Sequence, residues 1–215
     1  LARQGILLLQ MDKMDQGTAA LEQALHLTPE FALAEQSLAA AYLEQNQFEK
    51  AQEIAQRWQA ATDQEQQTKG WLLQSAIEQK QGKEAESKKS LLQVLSIDEN
   101  NVAALFQLGV MSHKAQDFNS AYDYYVQTLT QNPQHIQSMQ GLLVIASNDQ
   151  LVDKITTWFE STYKQQNNNV SVAINYAYLL ANSDKANDAI AVLDKARRDN
   201  LQANNNLVYI DIALA

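Results

Sequence analysis

Apolar and small residues return along this chain in short blocks at a constant offset, with polar turns between them. Two phrases show the offset first: Ala24-Leu25-His26-Leu27-Thr28-Pro29 and Thr128-Leu129-Thr130-Gln131-Asn132-Pro133, which end on the chain's two prolines, 104 residues apart. That separation is three periods of 34 plus two, and a fixed period in this range is the mark of a repeat array. With Pro29 and Pro133 as position 32 of a 34-residue repeat, the repeats begin at Ala32, Thr68, Val102, Ile136, Val170 and Asn204, after a first one lacking its opening residues. The starts are 36, 34, 34, 34 and 34 residues apart. Proline ends a helix because it has no N–H and its ring clashes with the preceding turn. The pattern therefore predicts thirteen helices and no strand: six hairpins and an unpaired helix from about Asn204 onward.

The residues at fixed places in these repeats resemble the tetratricopeptide repeat family, which puts large residues at positions 4, 11 and 24, small ones at 8, 20 and 27, and proline at 32. The first repeat has Gly5, Leu8, Gly17, Leu21, Ala24 and Pro29; the second has Ala39, Tyr42, Ala51 and Ala55. The fourth has Leu105, Gly109, Ala121, Tyr125 and Pro133, and the sixth has Ala177, Leu180, Ala189, Leu193 and Ala196. Small residues at 8 and 20 let the two helices of a hairpin approach, while large ones fill the layer between hairpins. The resemblance covers the whole chain. It implies an all-α, right-handed superhelical solenoid of about six and a half repeats, one domain over 1–215 divided at 1–31, 32–67, 68–101, 102–135, 136–169, 170–203 and a partial 204–215, because a lone hairpin cannot bury its apolar face.

Two departures carry structural expectations. Trp58 stands at position 27, where the family has Ala, and the only two-residue excess lies between Trp58 and Trp71; a wider or more rotated junction between the second and third hairpins is expected. Leu143 and Ile155 replace both small residues of the fifth repeat, so its helices are expected to pair loosely. The Gln/Asn-rich, acidic texture looks like long bacterial arrays in the lipoproteins that accompany exosortase and exopolysaccharide systems, a likeness pointing to periplasm or envelope over cytoplasm.

Composition narrows function mainly by subtraction. The net charge of −9 is concentrated in the N-terminal third, with −6 over residues 1–67. With no basic stripe to release counterions, nucleic acid is not an expected partner. There is no cysteine, and no apolar run approaches the ~20 residues of a membrane span, so no membrane contact by this segment is expected. His26, His113 and His135 form no HExxH pattern, and the six glycines form no phosphate-cradling loop. No nucleophile-elbow sequence occurs. No metal, no cofactor and no catalysis are expected. The chain opens on Leu1-Ala2-Arg3 and reads as starting and stopping inside helices, as a fragment of a longer array would.

The resemblance also implies where a partner binds, because in this family positions 2, 5, 9 and 12 of each first helix line a concave surface. Here those positions hold Leu33, Gln36, Ala40 and Leu43; Lys69, Leu72, Ala76 and Gln79; Ala103, Phe106, Val110 and His113; Gln137, Gln140, Val144 and Ser147; Ser171, Ile174, Tyr178 and Ala181; then Asn205, Val208 and Ile212. The candidate site is Gln36, Leu43, Lys69, Leu72, Phe106, Val110, His113, Gln140, Val144, Ile174, Asn175 and Tyr178. Aliphatic and aromatic anchors interleaved with amides suit a protein partner's extended peptide or amphipathic helix. A known family mode that grips C-terminal carboxylates needs a basic residue at position 5, which here is Gln36, Leu72, Phe106, Gln140 or Ile174; Lys69 and Asn175 are isolated matches. Trp71, Phe118 and Tyr125 fall at core positions, leaving Tyr122 and Tyr124 as candidate surface aromatics. The competing class is a structural spacer or assembly module of a larger envelope or secretion protein, acting through its convex face or its ends. There the apolar residues Leu207, Ile210 and Leu214 are expected to recruit a second copy if left uncovered.

Overall fold

The computed structural model describes residues 1–202 except 30, 148–149 and 167–168, and among the described residues there are twelve helices and no strand. They are α1 (Ala2–Gln10), α2 (Met14–Leu27), α3 (Ala32–Glu44), α4 (Phe48–Gln59), α5 (Gln64–Lys80), α6 (Glu84–Ile97), α7 (Val102–Lys114), α8 (Phe118–Gln131), α9 (Ile136–Ile145), α10 (Val152–Gln165), α11 (Val170–Ala181) and α12 (Ala186–Gln202). Both proline turns interrupt the helices as expected. The expected thirteenth helix, the groove positions Asn205, Val208 and Ile212, and the apolar end that was to recruit a second copy lie outside the described residues. Two compact blocks divide the chain, one from Leu1 to Ala104 and one from Leu105 onward; each is described by itself.

The turns inside hairpins share one geometry. Asp12, Asn46, Gly82, Gln116 and Asp184 have φ between 57° and 73°, and each stands at position 15 of its repeat. The residue after each donates its N–H back to the carbonyl five residues earlier: Lys13 to Leu8, Gln47 to Tyr42, Lys83 to Glu78, Asp117 to Ser112 and Lys185 to Leu180, at 2.8–3.0 Å. This is the Schellman closure, in which one left-handed residue lets the chain satisfy the last carbonyls of a helix while reversing. Asp, Asn and Gly tolerate that conformation best. Other helix starts are held by side-chain caps, with Asp63, Asp117 and Asn169 accepting from the N–H three residues on.

In the N-terminal block the small positions meet as the spacing requires. A Cβ on Gly5 would come within 3.0 Å of the Gly17 carbonyl, and the reverse holds for Gly17 and Gly5, so α1 and α2 touch through backbone. Ala39 and Ala51 are buried where α3 meets α4, and the buried Ser75 and Ser87 hydroxyls lie 2.9 Å apart between α5 and α6. Leu21, Leu38, Tyr42, Ile54, Trp58 and Ile77 form the core around them.

The junction after Trp58, expected to be wider or more rotated than the others, is not wide. α5 lies tight against α4: a Cβ on Gly70 would meet the Gln59 nitrogen at 2.7 Å and the Ala55 carbonyl at 2.8 Å. The indole of Trp58 is buried and turns back toward α3, where its Nε1–H donates to Glu35 Oε2 at 2.8 Å. It is not a wedge. The two extra residues lengthen the start of α5, which opens four residues before Thr68.

In the C-terminal block the core is aromatic, with Tyr125 and Phe159 fully or nearly fully buried beside Leu142, Ile145, Ile155 and Leu180. The Tyr125 ring is slotted between two glycines: a Cβ on Gly109 of α7 would lie 2.7 Å from its Cε1, and one on Gly141 of α9 would lie 2.6 Å from its Cε2. Tyr122, expected as a surface aromatic, is buried, and Tyr124 is half-buried. α9 and α10 meet over a short stretch compared with α11 and α12, in keeping with bulky Ile155 where the other hairpins have Gly, Ala or Ser.

Candidate functional site

On a 3.6-residue period, positions 2, 5, 9 and 12 of each first helix fall on a different face from positions 8 and 11, and several of them, Leu43, Phe106, Val110 and Ile174, lie at the edge of the core. None of the twelve candidate residues is buried.

On the N-terminal block, Gln36 on α3 and Lys69 on α5 come together at one small polar cavity of about 230 Å³, with Glu35, Trp58, Asp63, Glu65 and Gln66 around it. Its charges are already engaged. Lys69 Nζ pairs with Glu65 at 2.6 Å, Asp63 caps α5 through the Gln66 N–H at 2.8 Å, and Glu35 accepts from Arg57 Nε at 2.9 Å and from Trp58. Leu43 packs partly against the core and Leu72 is half-buried.

On the C-terminal block, the structure divides the candidates into those that prop the core and those that stay open. Phe106 lies 4.8 Å from the His135 ring and 6.2 Å from Tyr125, and Val110 leans on the same core. His113 meets Phe118 edge-on at 6.0 Å. Asn175 donates its amide to the Met139 sulfur at 3.4 Å. Gln140 is exposed, and Val144 and Tyr178 are 56% and 55% exposed. Ile174 and Tyr178 border an apolar cavity of about 350 Å³ between α11 and α12, with Ala177, Ala181, Ala189, Ile190 and Leu193. Ile190, itself 52% exposed on the second helix, is a residue that mapping first-helix positions alone had missed; its signal was an apolar side chain one place after the small residue at position 20.

Electrostatically the two surfaces differ. In the N-terminal block the first helices carry Arg3, Glu35, Glu44, Glu65, Lys69, Glu78 and Lys80. In the C-terminal block α9 and α11 carry no Asp, Glu, Lys or Arg, and α7 from Leu105 has only Lys114 at its end. His135 caps α9 with Nδ1, which lies 3.2 Å from the Ser138 N–H and 2.9 Å from its hydroxyl, and burial holds its pKa below the ordinary histidine value. Among the described residues no cluster of three or more His, Cys, Asp or Glu is placed to hold a metal, and no helix is long and apolar enough to cross a membrane.

A family model described as tetratricopeptide repeat matches residues 68–101. Solved structures share the fold at low identity. MamA protein is 14% identical over 76% of this chain and 88% of its own, with a TM-score of 0.55. TTC0263, a thermophilic TPR protein in Thermus thermophilus, is 17% identical over 83% of this chain and 96% of its own, with a TM-score of 0.53. A chain of the APC/C hetero-tetramer Cut9–Hcn1 is 13% identical, with a TM-score of 0.58 over 99% of this chain, which spans 41% of that longer one. No curated protein matches by sequence.

Proposed function

Starting from a chain that carries a tetratricopeptide repeat and has the fold of such proteins, we propose that it is a non-catalytic protein–protein interaction scaffold which holds a peptide or helix on the exposed face of its first helices. The observation that carries this reading is the outward stripe of the C-terminal block. There Val144 and Tyr178 leave more than half their surface open beside a cavity lined by alanine, isoleucine and leucine. An apolar patch with a few amides is the usual make-up of a surface that recognises another chain. That a protein of this fold occurs in the Cut9–Hcn1 hetero-tetramer supports the same reading.

Phe106 and Val110 are poor probes of the face because they also prop the core. The test is a pull-down with Val144→Asp and Tyr178→Asp, against Thr157→Asp on the exposed side of α10 as a control. Partners held by the parent chain and the control, but lost by both stripe variants, are the expected result. Partners retained by all three place binding on the second helices or the ends, and the spacer reading replaces this one.

A further inference from the structure

We propose that α9 is an acid-sensitive element: protonation of His135 releases the cap on its first turn and loosens the part of the first-helix face formed by Gln140 and Val144. The sensor is independent of the scaffold reading above; what it regulates rests on that reading.

The last residue of three successive repeats has the same task. Asn101, His135 and Asn169 stand at position 34, and each accepts the N–H three residues on, from Ala104 at 3.1 Å, Ser138 at 3.2 Å and Val172 at 3.2 Å. Asparagine is among the residues best suited to capping a helix, and histidine is not. An amide keeps its acceptor at every pH, whereas an imidazole keeps one only while it is neutral. α9 therefore differs from α7 and α11 in having a cap that a proton cancels, in the range where histidine titrates.

Because Nδ1 accepts from the Ser138 N–H, the neutral ring carries its proton on Nε2. A second proton occupies the Nδ1 lone pair. The Ser138 hydroxyl, 2.9 Å from Nδ1, can turn to accept from it, but the Ser138 N–H cannot, and Ser138 is fully buried. That N–H is left without its partner, and the new charge stands at the positive end of the α9 dipole. The Phe106 ring, 4.8 Å away and tilted by 57°, offsets only part of this for a cation. Burial lowers the His135 pKa, so the cap is complete above the ordinary 6.5 and is lost as pH falls from there toward the lowered folded value. Few other charges lie on the elements packed around it. His113 and Lys114 end α7, Asp123 of α8 pairs with Lys154 of α10 at 3.4 Å, α10 also carries Asp153, Glu160 and Lys164, and α9 and α11 carry none. His113, edge-on to Phe118 at the other end of α7, is the block's second histidine, and His113→Asn is the control for it.

The experiment follows hydrogen exchange of single amides by NMR in the full chain at about pH 7.5 and about pH 5.5, on either side of the ordinary histidine value, with each rate corrected for its intrinsic pH dependence. Protection of Ser138 and Met139 is expected to fall about threefold or more at the lower pH, the scale of losing one cap, while Val172 and Ala173 in the first turn of α11 stay within about twofold. His135→Asn should keep α9 protected at both pH values, His113→Asn should leave the response intact, and Asn169→His should carry the sensitivity to α11. A parent α9 that does not respond, a His135→Asn chain that responds as strongly, or a folded Asn169→His chain whose α11 stays indifferent overturns the sensor and leaves the scaffold reading standing. Circular dichroism checks that each variant folds; if Asn169→His does not, the parent and His135→Asn decide. For the regulation, proteins retained through Val144 at the higher pH by the parent and by His135→Asn should be released at the lower pH by the parent alone. Release from both, or from neither, overturns the regulatory role. If nothing is retained through Val144 at the higher pH, the scaffold reading falls and the regulatory role with it, while the sensor is still decided by exchange.

Discussion

Neighbouring helices in the two blocks are fastened by different chemistry. In the N-terminal block, carboxylates reach from one helix to the next: Glu22 on α2 accepts the Tyr42 hydroxyl at 2.6 Å and the Lys50 ammonium at 3.0 Å, and Glu35 on α3 accepts from Arg57 and Trp58 on α4. In the C-terminal block, rings fill the same layers. Tyr125 sits between Gly109 and Gly141, Phe106 rests on His135, and Tyr163 lies 5.9 Å from Tyr176 across α10 and α11. Small residues at positions 8 and 20 set the spacing in both, except between α9 and α10, where Leu143 and Ile155 stand instead. What fills the layer is then free to vary, provided each solution meets its own condition. The poorly exposed carboxylate of Glu35 has several donors, and the buried ring of Tyr125 has two neighbours without a side chain.

The largest expected effect comes from deleting a ring. Tyr125→Ala should cost about 3–5 kcal/mol, the usual range for emptying a buried aromatic site, and hydrogen exchange read by mass spectrometry should show peptides from α8 and α9 losing protection while those from α2 to α4 keep theirs. Equal loss in both blocks would show that they unfold as one and that the contrast has no energetic meaning. Next, Glu35→Ala strands the Trp58 indole N–H and should cost about 1–3 kcal/mol, with the loss of protection confined to α3 and α4. Glu35→Gln, whose carbonyl still accepts, should recover part of it. Were Glu35→Ala silent, the carboxylate fastening would be ornament.

Acid separates the blocks by pH. Burial lowers the pKa of His135 below its ordinary 6.5, so the folded state favours the neutral ring and the cap on Ser138 is fully present above that value. Its contribution falls as pH drops from about 6.5 toward the lowered folded value and then levels off. Glu22 is held below the ordinary 4.5 by the Tyr42 hydrogen bond first and by Lys50 second, against partial burial. Its contribution is complete above 4.5 and disappears as pH falls through the depressed folded value. The C-terminal block should therefore respond first on acidification. NMR titration of the Ser138 amide, with His135→Asn removing the step, checks the order; a simultaneous response in both blocks breaks it. The smallest effect is that of salt. The exposed inter-helix pairs Lys50–Glu22 and Lys80–Glu44 in the N-terminal block and Lys154–Asp123 in the C-terminal block are each worth roughly 0–1 kcal/mol, so raising salt should shift both blocks slightly, the N-terminal one a little more.

The hairpin fold was legible because its cause is local. Glycine, alanine or serine at positions 8 and 20, and proline at 32, each act within one repeat. The left-handed turn at position 15 was equally legible in Asp12, Asn46, Gly82 and Asp184 and was overlooked; Gln116 alone gives no such signal. What sequence reasoning misjudged depends on direction. Trp58 at a small position reads as a wedge only if its ring points toward the next hairpin, and the donor on its indole turned it to Glu35 instead. The compensating residue, Gly70, lies at position 3, where the family pattern attends to nothing. Of the candidate site, helical period keeps all twelve residues from full burial but leaves only Gln36, Gln140, Val144 and Tyr178 exposed, and Phe106 and Asn175 are occupied by partners from other helices, His135 and Met139, which no local pattern reports.

The slot that holds Tyr125 has a dynamic consequence. Its two edges, Cε1 and Cε2, press on the backbones of two different helices, α7 and α9. A half-turn of the ring about its own axis swings both edges out of the glycine slot and into the side chains packed on its two faces, and with Tyr125 only 2% exposed the rotation waits for those neighbours to part. The two sides of this ring should then remain magnetically distinct on a timescale where an exposed tyrosine averages, making its flip rate a clock for how often the C-terminal block breathes.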